Sequence, residues 1–319
     1  MNTSRRVLIT GAGGFVCSSI ARVLLEQGWQ VIAVDRQFDM VMQQNLRAQW
    51  GNQISFVQSD IAALPDISVD ALLHGAAITA SPDELGQSAE ANVRANIEPL
   101  LSVSEWANRQ GVKRAIFISS SAVYAATSPG AVSETLPTSP SGLYAVAKQT
   151  MESLVATLRE VYGHDVATIR LSNIYGPDEQ SRPTRPRISL VGQIIQQATQ
   201  TGQLIVYQDD PSRDWTYASD VGAAVAALLN QPNLNHALYN VASELVLSPL
   251  DIAMTIKSLM PDVSLDVRAG TNPNVPNLTR RGYLSHQRLQ DDTGFNDWTS
   301  FKDGLQKVII QQRNREVAI

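Results

Sequence analysis

The stretch Val7–Val16, Val-Leu-Ile-Thr-Gly-Ala-Gly-Gly-Phe-Val, constrains this chain more than any other. Val7–Thr10 is a short apolar run of the kind that forms a strand buried on both faces. It passes directly into Gly11, Gly13 and Gly14. A helical pattern follows, carrying Ile20, Val23, Leu24 and Leu25. Strand, glycine turn and helix in this order make a phosphate cradle. The glycines let the backbone approach an anion, and the helix N-terminus offers unpaired N–H groups and a positive dipole end. A second apolar run, Val31–Val34, ends at Asp35. That residue lies about twenty positions past the glycines, where a carboxylate can accept both ribose hydroxyls of an NAD adenosine. The third glycine is absent. Val16 stands there in Gly-x-Gly-x-x-Gly spacing and Cys17 in Gly-x-x-Gly-x-x-Gly spacing. Helix and strand must pack closely at that position, so the smaller Cys17 is the better tenant and the second frame is preferred.

Beyond Asp35, helical and extended patterns alternate. Met40–Gln49 reads as a helix and Ile54–Val57 as a strand that ends in Ser59-Asp60-Ile61. Asp70–Leu73 reads as a strand ending in His74-Gly75-Ala76-Ala77, and Ser88–Gln110 as a long helix containing Asn92. Ala115–Ile118 reads as a strand ending in Ser119-Ser120-Ser121. This alternation predicts an α/β fold with a parallel, doubly wound sheet. Small residues at the fourth strand end leave room for a ligand there. A packed role for His74 is favoured over a catalytic one. Ala125–Ser141 reads as a loop, Leu143–Tyr162 as a helix and Val166–Leu171 as a strand leading to Ser172-Asn173-Ile174-Tyr175-Gly176-Pro177. Asp178–Arg187, with Arg182, Arg185 and Arg187, reads as a loop over the mouth of the site. Further elements are expected at Leu190–Thr201, Leu204–Tyr207, Asp220–Leu229, Leu238–Val241 and Leu250–Met260. The domain division predicted is 1–172 for cofactor binding, with a returning part near 214–242, and 173–319 mainly for substrate.

Composition narrows the class. Hydrophobic residues are 44% and charged residues 17%, enough for a large core. The net charge of −5 argues against a nucleic-acid partner. Cys17 is the single cysteine, and with four scattered His residues it offers no metal-ligand spacing. No apolar run approaches the ~20 residues needed to span a bilayer, and the start of the chain does not read as a signal peptide. The expected location is cytoplasmic, with no membrane contact.

Tyr144 and Lys148 stand one helical turn apart on one face. A phenol has a pKa near ~10 and is a poor base at neutral pH. A nearby ammonium favours the phenolate and makes the pair a usable proton shuttle. Lys148 can also hold a nicotinamide ribose. Ser120 or Ser121, at a strand's carboxyl end, can hydrogen-bond a reacting oxygen.

Taken in order, these motifs resemble the extended short-chain dehydrogenase/reductases, within them the NAD-dependent epimerase/dehydratase family. The carriers are Thr10-Gly-Ala-Gly-Gly-Phe-Val16, Asp35, Asp60-Ile61, His74-Gly-Ala-Ala77, Asn92, Ser119-Ser-Ser-Ala-Val-Tyr124, Tyr144-Ala-Val-Ala-Lys148, Asn173-Ile-Tyr-Gly-Pro177 and Arg213-Asp-Trp-Thr-Tyr217. The resemblance implies a Rossmann fold with a smaller C-terminal substrate domain, NAD as cofactor, and a homodimer formed through the helices containing Asn92 and Tyr144. It implies that Gly11, Gly14, Phe15 and Val16 hold the pyrophosphate. Asp35 would take the adenosine ribose with Arg36 beside it, and Asp60 and Ile61 would flank the adenine. Ala76, Ala77, Asn92 and Ser119 would lie along the cofactor. Ser120, Tyr144 and Lys148 would be catalytic; Ser121, Asn173 and Arg213 would contact substrate. Arg213 fits a substrate phosphate, the alternative being an ion pair with Asp214 or Asp220. Departures are Cys17 for Gly, Gly75 for a usual Leu, and Ala125 for a usual Gly. The activity implied is nucleotide-sugar epimerisation of the UDP-glucose 4-epimerase kind. A dehydrogenase or reductase of a free sugar, hydroxy acid or small carbonyl compound is the alternative. Family members that remove water or carbon dioxide carry carboxylates after the catalytic hydroxyl, where this chain has Ser121 and Ala122.

Overall fold

The computed structural model describes residues 5–124, 130–273 and 282–317. Seven parallel strands form the central sheet: β1 (Arg6–Thr10), β2 (Gln30–Asp35), β3 (Ile54–Gln58), β4 (Ala71–His74), β5 (Arg114–Ser120), β6 (Asp165–Leu171) and β7 (Leu238–Val241). Their order is β7-β6-β5-β4-β1-β2-β3. The winding direction reverses between β1 and β4, which pair from Val7↔Ala71 to Thr10↔His74. A crevice opens beyond the carboxyl ends of two such strands, and there Gly11 follows β1. The middle strands are buried along nearly their whole length, which is why they read as apolar runs and not as alternating ones.

Helices cover both faces. Phe15–Glu26 packs on Ala218–Asn230, with Ile20, Leu24, Val221 and Val225 in one core with Val7, Ile9 and Ile169. On the other face Ala89–Arg109 and Leu143–Tyr162 bring Leu100, Val103, Trp106, Met151 and Val155 against Leu8, Leu72 and Phe117. Local chemistry sets several ends. The Ser88 hydroxyl accepts from Ala91 N at the start of Ala89–Arg109. Ser248 and Asp251 form a reciprocal cap before Pro249–Leu259.

A second core gathers Ile194, Ile195, Leu204, Trp215, Ile252, Ile256 and Leu305. It lies under two small sheets that the sequence patterns did not announce in full. Arg213–Tyr217 runs parallel to Asn173–Tyr175 and antiparallel to Val246–Leu247. Ser264–Arg268 runs parallel to Gln203–Tyr207. The expected return to the large sheet therefore begins at Ala218, and residues 213–217 belong to a small sheet instead. The expected loop at 125–141 contains a two-residue strand, Ala131–Val132, paired with Tyr283–Leu284. Ala125 and the beginning of that loop lie outside the described residues.

Candidate active site

The glycine turn is shaped for a close-lying ligand. Gly11 has φ +71°, and a Cβ on it would stand 2.6 Å from Ala76 N and 2.9 Å from the Gly75 carbonyl carbon. No L-residue with a side chain adopts that geometry without displacing β4's exit. A Cβ on Gly13 would meet the Gln37 carbonyl at 2.5 Å and the Asp35 carboxylate at 2.9 Å. Gly13 N donates to Asp35 Oδ2 at 2.9 Å, and Gln37 N to Oδ1 at 3.3 Å. Asp35 thus clasps the turn to the end of β2. From here a cavity of about 560 Å³ runs past Asp35, Arg36, Asp60, Ile61, Ala76 and Ala77. Its glycine floor and the Asp35 carboxylate at one side fit the adenosine and pyrophosphate of NAD.

Two departures from the family pattern meet in space. A Cβ on Gly75 would stand 2.2 Å from Cys17 Sγ and 3.0 Å from Ile118. The thiol occupies the volume that a side chain at 75 would need, so the two positions are a size-complementary pair. Burial pushes the Cys17 thiol up to about 12, with Asp35 adding to the rise and Lys148 opposing it, so it packs as a neutral group. Gly75→Leu alone is expected to destabilise by about 1–3 kcal/mol through overpacking. Adding Cys17→Gly should recover at least half of that loss. Denaturant unfolding of both singles and the double tests it; additive losses would show that the sites do not compensate.

A second cavity, about 500 Å³, shares Gly11, Gly14 and Ala77 with the first. It continues along Phe15, Val16, Ser119, Ser120, Tyr144, Lys148, Asn173 and Arg213. Helix Leu143–Tyr162 and the end of β5 deliver Tyr144, Lys148 and Ser120 to one wall. Burial raises the Tyr144 phenol; a hydrogen bond with Ser120 and the charge of Arg185 lower it. The expected effect of Lys148 on Tyr144 is not what this geometry shows. Lys148 Nζ donates to the Ile118 carbonyl at 2.7 Å and stands 5.8 Å from the Tyr144 ring centre. Burial lowers the ammonium to about 8, while the Glu152 carboxylate holds it up. Ser120 Oγ also accepts from Ala122 N at 3.1 Å, which fixes its rotamer at the strand end.

Glu152, one further turn along the same helix, was missed, although its spacing from Lys148 is visible in the sequence. It accepts from Ser119 Oγ at 2.5 Å and from Arg170 at 2.9 and 2.6 Å. Arg170 in turn donates to Tyr124 Oη at 2.5 Å. The register Ser119↔Arg170 between β5 and β6 places these partners side by side. His74 is packed, as expected: Nδ1 lies 2.8 Å from Thr10 Oγ1, and burial, helped by Lys148, lowers it to about 3, leaving it neutral.

Two expected site residues line neither cavity. Asn92 is buried behind the wall and donates to the Ala80 carbonyl at 3.0 Å. Ser121 starts the short 3₁₀ turn after β5, one residue past the end that faces the cavity. Asn173 lines the cavity while donating to the Asp214 carbonyl at 3.0 Å. The ion pair offered as the alternative role of Arg213 is not formed. Asp214 accepts from Leu284 N and Asp220 from Thr299, so Arg213 keeps its charge for the cavity, with Asp210 nearby. Residues of the segment 178–187, among them Arg182, Thr184 and Arg185, line the second cavity.

A parallel doubly wound sheet, a glycine-floored cleft at its switch point and a Ser–Tyr–Lys wall beside that cleft define a class: dinucleotide-binding proteins of the Rossmann type. The NAD dependent epimerase/dehydratase family model matches residues 7–242, and the chain belongs to that family. It is 27% identical over 96% of its length to the trifunctional UDP-glucose 4,6-dehydratase/UDP-4-keto-6-deoxy-D-glucose 3,5-epimerase/UDP-4-keto-L-rhamnose-reductase of Arabidopsis thaliana, of which it spans 47%. It is 28% identical to the uncharacterized UDP-glucose epimerase YtcB of Bacillus subtilis, covering 94% of this chain and 95% of that one. The fold matches a UDP-glucose-4-epimerase from Stenotrophomonas maltophila solved with NAD and formylated UDP-arabinopyranose. The TM-score is 0.86 at 23% identity, over 99% of this chain and 100% of that chain.

Proposed function

We propose that the protein is an NAD-dependent epimerase of a nucleotide sugar, with Ser120, Tyr144 and Lys148 as its catalytic groups. The observation that carries this is their convergence on a cavity continuous with the glycine-floored cleft. Bound NAD supplies the hydride acceptor and donor. Tyr144, whose phenol burial raises and Ser120 and Arg185 draw back down, would take the proton from the reacting hydroxyl and return it, and Ser120 would hydrogen-bond the same oxygen. Lys148, anchored on the Ile118 carbonyl, keeps two N–H donors for the nicotinamide ribose. Asn173 and Arg213 hold the substrate, Arg213 at a phosphate. Residues 1–172 with 218–241 form the cofactor part, and most of the remainder forms the substrate part.

The wall offers no carboxyl group next to Ser120, since Ser121 and Ala122 follow it. Loss of water needs an acid and a base on adjacent carbons, which one phenol serves poorly. Incubation with NAD and a panel of nucleotide sugars is expected to give isomerised sugar with no net NADH. Net NADH would favour a dehydrogenase, and a product lighter by one water would overturn the reading.

The cofactor is expected to be NAD and not NADP. Asp35 presents its carboxylate to the cleft where a 2′-phosphate would lie, and like charges in a partly desolvated site repel. Arg36 lines the same cavity, so the measurement is a real contest. Titration should show NAD binding at least tenfold tighter, and equal affinities would refute the assignment.

The reading extends to a cytoplasmic homodimer. Helices Ala89–Arg109 and Leu143–Tyr162 pack side by side and expose Leu101 at 45% and Val146 at 43%. The lone, buried Cys17 fits a reducing compartment. Among the described residues, no helix is long and apolar enough to cross a membrane.

A further inference from the structure

The segment after Pro177 does more than border the substrate cavity. Arg182 and Arg185 form a tight antiparallel turn, each backbone N–H donating to the other's carbonyl at 2.9 Å. The Thr184 carbonyl at its tip accepts three donors from the opposite wall: Thr79 N at 2.9 Å, Ala80 N at 3.2 Å and Thr79 Oγ1 at 3.2 Å. Arg187 adds an exposed ion pair with Glu84 at 3.0 Å. The turn therefore bridges the groove from the substrate side to the stretch that follows β4.

The Arg182 guanidinium faces the glycine turn. Arg182 Nη1 lies 3.1 Å from the place a Cβ would take on Gly13, and Arg182 lines both cavities. No carboxylate pairs with it among the described residues. The Arg185 guanidinium stands 5.5 Å from the Phe15 ring centre, over the first turn of the helix that the glycines open. Glu179 holds its Nη2, while its buried Nη1 has no partner among the described residues. One guanidinium without a carboxylate partner among the described residues thus stands at a helix N-terminus already suited to an anion, and a second lies near the Phe15 ring beside it. A dinucleotide lying across the two cavities would bring its pyrophosphate to Gly11 and Gly14, which both cavities share, beside Arg182.

We propose that the Arg182–Arg185 turn is a clamp on the pyrophosphate of the bound dinucleotide, latched to Thr79 and Ala80 through the Thr184 carbonyl. This rests on the cofactor reading above. Its consequence is kinetic: the dinucleotide leaves only when the turn lifts, so the cofactor stays with the protein between turnovers. That behaviour suits a reaction that returns its hydride within each cycle.

The test uses the full chain and two probes, NAD and ADP-ribose, which keeps the pyrophosphate but lacks the nicotinamide. Dissociation rates are read by stopped-flow displacement, with no turnover required. Arg182→Ala is expected to speed release of both probes by about 10- to 100-fold, the range for losing a charge-assisted hydrogen bond. Arg182→Lys should restore part of the retention, which a merely structural residue would not do. Circular dichroism and thermal unfolding confirm that the variants are folded. Unchanged release of ADP-ribose overturns the clamp. So does a loss of affinity confined to UDP, which would assign Arg182 to the substrate. Absence of NAD and ADP-ribose binding by the wild type would overturn the cofactor reading itself.

Discussion

Replacing Tyr144 with Phe is expected to lower turnover on a nucleotide sugar by a factor on the order of 10² or more, the usual range for losing a general acid–base group. NAD affinity should stay within about threefold. The change removes one hydroxyl from a half-buried ring whose noted partner is Ser120, so packing and stability should hold. Steady-state kinetics and a separate NAD titration give both numbers. Turnover within about threefold of wild type would remove Tyr144 from the chemistry. The wild-type rate should also fall on the alkaline side near the Lys148 value of about 8, because the ammonium loses its charge as pH rises through it. Tyr144→Phe leaves Lys148 in place, so NAD binding should keep that alkaline dependence.

Arg170→Met is expected to destabilise the protein by about 3–5 kcal/mol, the cost of leaving a buried charge unpaired. Arg170 is 4% exposed and gives Glu152 both arms of its guanidinium. Without it, Glu152 keeps only the Ser119 hydroxyl, deep between β5, β6 and helix Leu143–Tyr162. The double variant Arg170→Met with Glu152→Gln should recover most of the loss, because the neutral amide can still bond Ser119 and no lone charge remains. Urea unfolding of the two variants measures this. A loss below 1 kcal/mol for Arg170→Met would show that the pair is dispensable. The network also sits one helical turn from Lys148 and one residue from Ser120. Glu152 therefore helps hold the strand end and the helix that carry the proposed chemistry, and its charge supports that of Lys148.

Much of this was legible along the chain. The middle strands of the large sheet are buried on both faces, so Val7–Thr10, Val31–Val34 and Ala115–Ile118 appear as apolar runs with punctuation at their carboxyl ends. Ligand sites of open parallel sheets collect at those ends, which is why Gly11, Asp35 and Ser120 could be singled out by position, while Asp60, Ala76 and Asn173 were singled out by the family resemblance. Tyr144 and Lys148 were legible for a related reason. One helical turn is a local spacing, independent of how the rest of the chain folds.

The small sheets were harder to see. Ser264–Arg268 alternates over only five residues, with Leu265 and Val267 as its two apolar positions and both ends exposed, and Val246–Leu247 is only two residues long, so neither stands out as a strand. Ser121 and Asn92 show the limit of position along the chain. Ser121, one residue past a strand end, lines neither cavity, and Asn92 bonds the Ala80 carbonyl behind the wall.

What the sequence by itself determined is the succession of strands and helices along the chain, the glycine turn with the carboxylate that ends the next strand, and the Tyr–Lys face, because each is read from the pattern of short local segments. What only the tertiary structure decided are the contacts between segments far apart in the chain. Cys17 fills the space left by Gly75, Glu152 is neutralised by Arg170, and the Arg182–Arg185 turn reaches across to Thr79. Volume and charge complementarity are properties of pairs brought together by the fold, and neither partner carries a mark of the other in its own neighbourhood.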